Sequence, residues 1–216
     1  QVLNRSGGLM DYGTDNLHLL VRVLRVLAKG RPVTTSQVDE IVAELGIDLD
    51  ASEQFLQTVA ERDDDDNIVG ALGLSLKEHP HSFNVGGTQM TAWCAQDTLF
   101  LPVMLQQTAT VETQSPVSKE KIRITVGPDG VKGANPAGAV MSTVVFDPDS
   151  TELNTPTDIQ MNFCRNIHFF ASEEEVEQWA AGRSDIEILS LEEAFELGNQ
   201  LWPEANSYAK ALSESA

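Results

Sequence analysis

Apolar residues recur at helical spacing near the start of the chain. In residues 15–29 they include Leu17, Leu20, Val21, Leu24 and Leu27, one face of an amphipathic helix. Gly30 and Pro32 follow and are typical helix stops. Residues 36–45 repeat the pattern after Thr34 and before Gly46, and residues 51–62 do so after Asp50. The pattern therefore predicts three short helices.

Two runs rich in β-forming residues come next, at 68–76 and 81–85. Three helices followed by a hairpin is the order of a winged-helix unit, so residues 1–87 are predicted to form a winged-helix-like domain. The third helix is followed by the acidic run 63–66, which would repel phosphate. We therefore interpret this unit as a structural or dimerisation module rather than a DNA-binding one.

The remaining chain mixes helix and strand patterns without regular alternation. Residues 91–106, 173–181 and 191–201 have helical patterns, and 108–113, 121–126, 139–146 and 186–189 resemble strands. The aromatic run 161–170 is also rich in β-forming residues. This arrangement favours an α+β class over a doubly wound sheet. We predict an α+β domain at residues 88–216 and expect it to carry the chemistry.

The composition narrows the possible partners. The chain has 14 basic and 33 acidic residues and a net charge of -19, which argues against nucleic acid and anionic membranes. It favours an adaptation to high salt, where charge is screened. Without a run of about 20 apolar residues or a basic-then-apolar leader, the predicted location is cytoplasmic.

The two cysteines, Cys94 and Cys164, are 70 residues apart. With Asp97 at i+3, Cys94 and the carboxyl would share a helix face. In the first turn of the helix, Cys94 would meet unpaired N–H groups that favour a thiolate. Asp97 could then exchange a proton with a group bound at that sulfur, if burial raises its pKa. On its own, the pattern also fits an inert buried thiol beside an exposed carboxylate.

Cys164 lies among aromatic residues at a predicted strand end, where a thiol could face a closed apolar pocket. Two thiolates meeting across the fold would select a soft metal ion over zinc or magnesium, or they could form a redox disulfide. His79 and His81 have no third ligand nearby in sequence, so we interpret them as a loop between strands rather than a zinc site.

Several motifs resemble the organomercurial lyases, also called alkylmercury lyases. They are LAKGRPV at 27–33, NIVGALGLSLKE at 67–78, AWCAQDTLFLP at 92–102 and NFCRNIHFFAS at 162–172. The resemblance runs from about residue 15 to about residue 202. It implies a winged-helix-like part packed on an α+β catalytic part, with Cys94, Asp97 and Cys164 as the site. Some relatives have further cysteines, one where this chain has Arg165 and one aligned near Ser115.

The activity that the resemblance implies is protonolysis of a carbon–mercury bond. Cys94 and Cys164, with Asp97, would bind mercury as substrate and product, and Asp97 would deliver the proton to carbon. Trp93, Phe163 and Phe169 are candidates for the apolar walls of the substrate pocket. No organic cofactor is expected. The implied partners are organomercurial compounds, cellular thiols and a mercuric reductase that collects Hg(II).

Two other functions remain open at this point. A non-enzymatic thiol protein that binds and transfers Hg(II) or Cu(I) would keep both cysteines but would not need Asp97. A redox-switched winged-helix regulator would need a Cys94–Cys164 disulfide and a basic face, and the net charge of -19 weighs against that face.

Overall fold

Three helices open the part of the chain that the computed structural model describes, which is residues 12–144 and 154–215. They are α1 (Thr14–Leu27), α2 (Thr35–Leu45) and α3 (Leu49–Val59). The side chain of Thr34 caps α2, and Gly46 ends it in a left-handed conformation. The third helix stops at Val59 rather than at residue 62, because the next residues pair with a neighbouring strand.

An eight-stranded antiparallel sheet follows the helices, in the order β1-β2-β3-β5-β4-β6-β7-β8. Its strands are β1 (Ala60–Arg62), β2 (Ile68–Ala71), β3 (Leu74–Ser75), β4 (His81–Val85), β5 (Thr88–Ala92), β6 (Ala109–Gln114), β7 (Lys121–Gly127) and β8 (Gly130–Asn135). The sheet takes strands from both sides of residue 87. The division into domains at that point, and the winged-helix detail, stay predictions.

Helix α4 (Ala95–Leu105) is buried at every position. After its polar first turn it is apolar on all sides, as is typical of a helix that packs against a sheet and against helices from both ends of the chain. The prediction of a helix over 91–106 was wrong at its start, because residues up to Ala92 belong to β5 and Cys94 is the N-cap. None of the helices within the described ranges has the length and apolar character that crossing a membrane requires.

A smaller sheet has the order β10-β9-β11. The elements after β8 are β9 (Val140–Val144), α5 (Pro156–Asn162), a 3-10 turn (Cys164–Asn166), β10 (Phe169–Phe170), α6 (Glu173–Trp179), β11 (Ile186–Ser190), α7 (Leu191–Leu201) and α8 (Pro203–Glu214). The predicted strand 139–146 is confirmed over 140–144, and its last two residues lie outside the described ranges. Mixed helices and antiparallel strands confirm the α+β class.

Only the last two residues of the aromatic run 161–170 form a strand, contrary to the prediction, and the run begins with the end of α5 and the 3-10 turn. Thr155 caps α5 and Pro156 occupies its first turn, so the helix continues to Asn162. Cys164 then begins the 3-10 turn instead of ending a strand, and only Phe169–Phe170 pairs with β9.

One main core joins the N-terminal helices, the large sheet, α4 and the C-terminal helices. Its largest fully buried side chains include Trp202, Phe83 and Phe169. Cys94 and Cys164 both belong to this core. The two thiols are therefore held by the same packing that stabilises the fold.

Candidate two-thiol active site

Cys94 lies at the junction of β5 and α4. The backbone N–H of Trp93 donates to the carbonyl of Gly73 at 2.9 Å, which fixes the chain as it leaves the sheet. The backbone N–H of Cys94 then donates to Asp97 Oδ2 at 2.7 Å. This is a capping interaction, so the i,i+3 spacing holds the carboxyl beside the cysteine that begins the helix.

Cys164 reaches the same place from the other half of the fold. Its carbonyl accepts from the N–H of Ile167 at 3.0 Å, and the carbonyl of Ile167 accepts from the N–H of Ala95 at 3.4 Å. His168, which follows Ile167, bonds to Ser142 in β9. The Ser142 N–H donates to the His168 carbonyl, and the His168 N–H donates to Ser142 Oγ. The turn that carries Cys164 is thus tied both to the start of α4 and to the small sheet.

The three predicted site residues meet in one buried cluster. One ligand atom from each of Cys94, Asp97 and Cys164 lies within 4.8 Å of the others, and no other group of three potential metal ligands occurs in the described ranges. Their exposed fractions are 1%, 7% and 5%. Both cysteines are free thiols. Such a closed site admits a substrate only when neighbouring side chains move.

Both thiols are held in the neutral form. Desolvation by burial, together with the Cys164 hydrogen bond and the charge of Asp97, raises the pKa of Cys94 well above its ordinary value. A hydrogen bond from Cys94 favours the Cys164 thiolate, but burial and Asp97 outweigh it and raise the pKa of Cys164. The backbone N–H of Asp97 at the helix start favours the Cys94 thiolate, as expected, but burial outweighs its effect on the pKa.

Asp97 meets the condition set for a proton carrier. Desolvation by burial raises the pKa of its carboxyl to about 6, against hydrogen bonds from Cys94 that lower it. The β2–β3 turn leaves no spare room here, since a Cβ atom on Gly73 would lie 2.3 Å from Asp97 Cγ. Near neutral pH this carboxyl can both accept and release a proton.

The three predicted pocket residues are Trp93, Phe163 and Phe169. The first two are adjacent in sequence to Cys94 and Cys164, and Phe169 belongs to the same core. Trp93 is buried, and its indole N–H has no hydrogen-bond partner among the residues described. Phe163 packs on the core, and the buried ring of Phe169 meets His81 edge-on at 5.8 Å. A separate cavity of 680 Å³ along β6 and β7 includes none of them. Their role as pocket walls stays a prediction.

A second polar cluster, which is partly buried, was missed by sequence reasoning. The carboxylate of Glu61 accepts hydrogen bonds from Ser75, His79 and Gln160. Burial alone would raise the pKa of Glu61, but these bonds from His79, Ser75 and Gln160 lower it to about 2. The residues come from three separate segments, β1, the β3–β4 region and α5, so no local pattern could reveal the group. His79 lies in a loop between strands, as predicted, whereas His81 begins β4.

Known proteins share both the sequence and the fold. Residues 74–202 match the family model described as MerB, alkylmercury lyase. An alkylmercury lyase of Staphylococcus epidermidis is 36% identical over 181 residues, which cover 83% of this chain and 79% of that protein. One of Pseudomonas putida is 37% identical over 187 residues, covering 84% and 81%.

A crystal structure of the mercury-bound form of MerB2 has a similar fold. Its TM-score is 0.72 at 25% sequence identity, and the match covers 94% of this chain and 96% of that one. The resemblance inferred from the AWCAQDTLFLP and NFCRNIHFFAS motifs is thus confirmed over most of the length. The chain belongs to the alkylmercury lyase family.

Proposed function

We propose that this protein is an organomercurial lyase that cleaves the carbon–mercury bond by protonolysis, with Cys94, Asp97 and Cys164 as its catalytic residues. The observation that carries the proposal is the cluster itself. Two thiols and one carboxyl lie within 4.8 Å of one another in a buried site, in a chain of the alkylmercury lyase family. Soft sulfur ligands prefer a soft metal such as mercury.

Binding begins with loss of a thiol proton. At neutral pH the two thiols are protonated and much of Asp97 is ionised, so the carboxylate can accept a proton from Cys94. The resulting thiolate attacks the mercury of R–Hg–X and displaces X⁻. Asp97 is now the neutral acid, and the substrate is held as R–Hg–S.

Cleavage follows when the second sulfur binds. The Cys164 thiolate adds to mercury and pushes electron density towards the attached carbon, while the second thiol proton leaves the site. The carbon becomes basic enough to take the proton of Asp97, and the Hg–C bond breaks to give R–H. The balance is R–Hg–X and two thiols giving R–H, a dithiolate-bound Hg(II), a proton and X⁻.

The surroundings support this chemistry in two ways. A site from which water is excluded strengthens the electrostatic effect of Asp97 on its neighbours. The aromatic rings of Trp93, Phe163 and Phe169 would form apolar walls that admit alkyl and aryl groups. We assign these three residues to the substrate pocket.

The fate of the product completes the proposal. Hg(II) stays bound to Cys94 and Cys164 until small cellular thiols or a mercuric reductase remove it. The reaction needs no cofactor, because the only metal involved is the mercury atom of the substrate. We propose the cytoplasm as its compartment, because a reducing environment keeps both thiols free.

The test is release of methane from methylmercury in the presence of excess thiol. Wild-type protein should release methane catalytically, whereas Cys94→Ser and Cys164→Ser should each abolish turnover, since one sulfur cannot activate the carbon as two do. Met161→Ser is the matched control, because this residue lies three positions before Cys164 but has an exposed side chain. Turnover retained by either cysteine variant would disprove the pairing.

A further inference from the structure

Glu61 is a carboxylate at the centre of a small hydrogen-bond network. Its Oε1 accepts from His79 Nε2 at 3.1 Å and from Gln160 Nε2 at 3.1 Å, and its Oε2 accepts from Ser75 Oγ at 2.5 Å. The Glu61 and His79 side chains are 10% and 14% exposed. Burying a carboxylate is costly unless its oxygens are satisfied, and these three donors satisfy them.

The fold makes room for this carboxylate with a glycine. A Cβ atom on Gly70 would lie 2.2 Å from Glu61 Oε2 and 2.9 Å from Ser75 Oγ. A larger residue at position 70 would displace the carboxylate from Ser75. The position of the Glu61 carboxylate is therefore set by Ser75, His79 and Gln160 rather than by residues adjacent to Glu61 in sequence.

The three donors lie close to the segments that hold the two thiols. Ser75 pairs with Thr91 in β5, three residues before Cys94, and the ring of His79 lies 6.3 Å from that of Trp93. Gln160 is on α5, one helical turn before Cys164. Glu61 thus connects the strand that precedes Cys94 to the helix that precedes Cys164.

We propose that Glu61 is a positioning residue that holds α5 against the sheet, so that the sulfurs of Cys94 and Cys164 reach the same mercury atom. This inference rests on the proposed function. Glu61 does not touch the substrate and acts through Gln160. Once one thiolate has captured mercury, the second binds as an intramolecular ligand, and its effective concentration depends on how well its segment is held.

The need for such a tie follows from the elements that carry Cys164. Helix α5 has only seven residues and is followed by a three-residue 3-10 turn. A helix this short has little stability of its own. The hydrogen bond from Gln160 to Glu61 gives it a fixed point on the sheet close to the cysteine it presents.

The experiment compares Gln160→Ala, which removes the donor, with Gln160→Lys, which can still donate to Glu61. Thr157→Ala is the control, an exposed position on the same helix. Two quantities are measured: kcat and KM for methylmercury, and the affinity for Hg(II) in competition with a small dithiol. X-ray absorption of the Hg(II)-loaded proteins reports the number of sulfur ligands.

We expect Gln160→Ala to lower kcat by about tenfold to a hundredfold, the size of effect that a misplaced reacting group produces, with KM close to wild type. Hg(II) affinity should fall, and X-ray absorption should show fewer protein sulfur ligands. Gln160→Lys and Thr157→Ala should keep wild-type values. A merely structural role would lower thermal stability without changing the sulfur count.

Wild-type kcat, Hg(II) affinity and sulfur count in Gln160→Ala would overturn the inference, as would equal losses in Gln160→Ala and Gln160→Lys. Glu61→Ala should repeat the losses where it folds, and the Gln160 pair decides the question where it does not. The Hg(II) measurements need no turnover. If wild-type protein releases no methane, the proposed function fails, while the positioning role is still decided by affinity and sulfur count.

Discussion

Asp97 is an acidic side chain that the fold buries at a cost in stability. Its folded-state pKa of about 6 lies above the ordinary 3.8, so its contribution is most favourable at low pH and is lost as pH rises through about 6. Asp97→Asn removes the charge and keeps an oxygen for the Cys94 N–H. We expect the variant to lose methane release. Its free energy of unfolding at pH 8 should exceed that of the wild type by about 1–3 kcal/mol. Denaturant titration and the methane assay measure the two effects.

The pH itself supplies the control for this substitution. Below pH 6 the wild-type carboxyl becomes neutral in the folded protein, so the stability difference between wild type and Asp97→Asn should narrow. Cleavage by the variant at the wild-type rate would mean that the proton donor is misassigned. If wild-type protein cleaves the carbon–mercury bond and Asp97→Asn only binds mercury, the protein is a lyase. A thiol protein that only carries metal would behave in the same way with and without the Asp97 carboxyl.

The same carboxyl predicts how the rate depends on pH. Asp97 must be ionised in the free enzyme to accept the first thiol proton, so kcat/KM should fall as pH drops through about 6. Both thiols stay protonated through this range because burial raises their pKa values. Initial rates between pH 5 and 8 test this, and a flat profile would contradict the assignment of Asp97 as the base.

Sequence spacing predicted part of the site well. Cys94 and Asp97 are three residues apart, so local helix geometry was enough to bring them together. Cys164 could be paired with them only through the family resemblance, because 70 residues of intervening topology decide where it lies. The protonation state of Cys94 could not be predicted from the helix start alone, since burial in the folded core overrides the local dipole.

At the level of elements, the β2–β3 turn shapes the site through Gly73. This residue has a φ of 94°, and a Cβ atom would lie 2.3 Å from Asp97 Cγ. We expect Gly73→Ala to lose about 1–3 kcal/mol of stability through backbone strain and to lower kcat by displacing the carboxyl. Thermal unfolding and methane release check the two effects.

Gly133→Ala in β8 is the matched control, because a Cβ atom there meets nothing within 4 Å. It should leave turnover and stability close to those of the wild type. Equal behaviour of the two alanine variants would show that the contact between the β2–β3 turn and Asp97 is unimportant.

There is a physical reason why the sequence analysis missed each of three elements, α5, β5 and β1. Aromatic composition favoured a strand around Cys164, but Thr155 followed by Pro156 is a helix start signal that was present and outweighs it. Likewise, Gly86-Gly87 is a hairpin signal that marks β5 ahead of α4. Strand β1 carried no such signal, because only its pairing with β2 ends α3 at Val59.

For the whole molecule, the net charge of -19 is the dominant electrostatic feature. Like charges destabilise a compact state by self-repulsion, and raising NaCl from roughly 0.1 M to roughly 1 M shortens the screening length from about 10 Å to about 3 Å. We propose that the protein is adapted to high salt. Its melting temperature should rise by several degrees over this range, as measured calorimetrically without mercury.

The acidic run offers a control for the salt effect. Replacing the exposed Asp64 and Asp65 by asparagine lowers the charge without touching the core. This variant should be more stable than the wild type at low salt and should respond less to added salt. A wild-type melting temperature that does not change with salt would remove the case for adaptation.

Burial of the two sulfurs also determines how the resting protein meets other reagents. Peroxides and alkylating agents attack thiolates that water can reach, whereas Cys94 and Cys164 are neutral and only 1% and 5% exposed. Under the proposed mechanism, an apolar organomercurial would enter this interior as the substrate. The two thiols that we propose as the mercury ligands should therefore resist oxidation and alkylation while no organomercurial is bound.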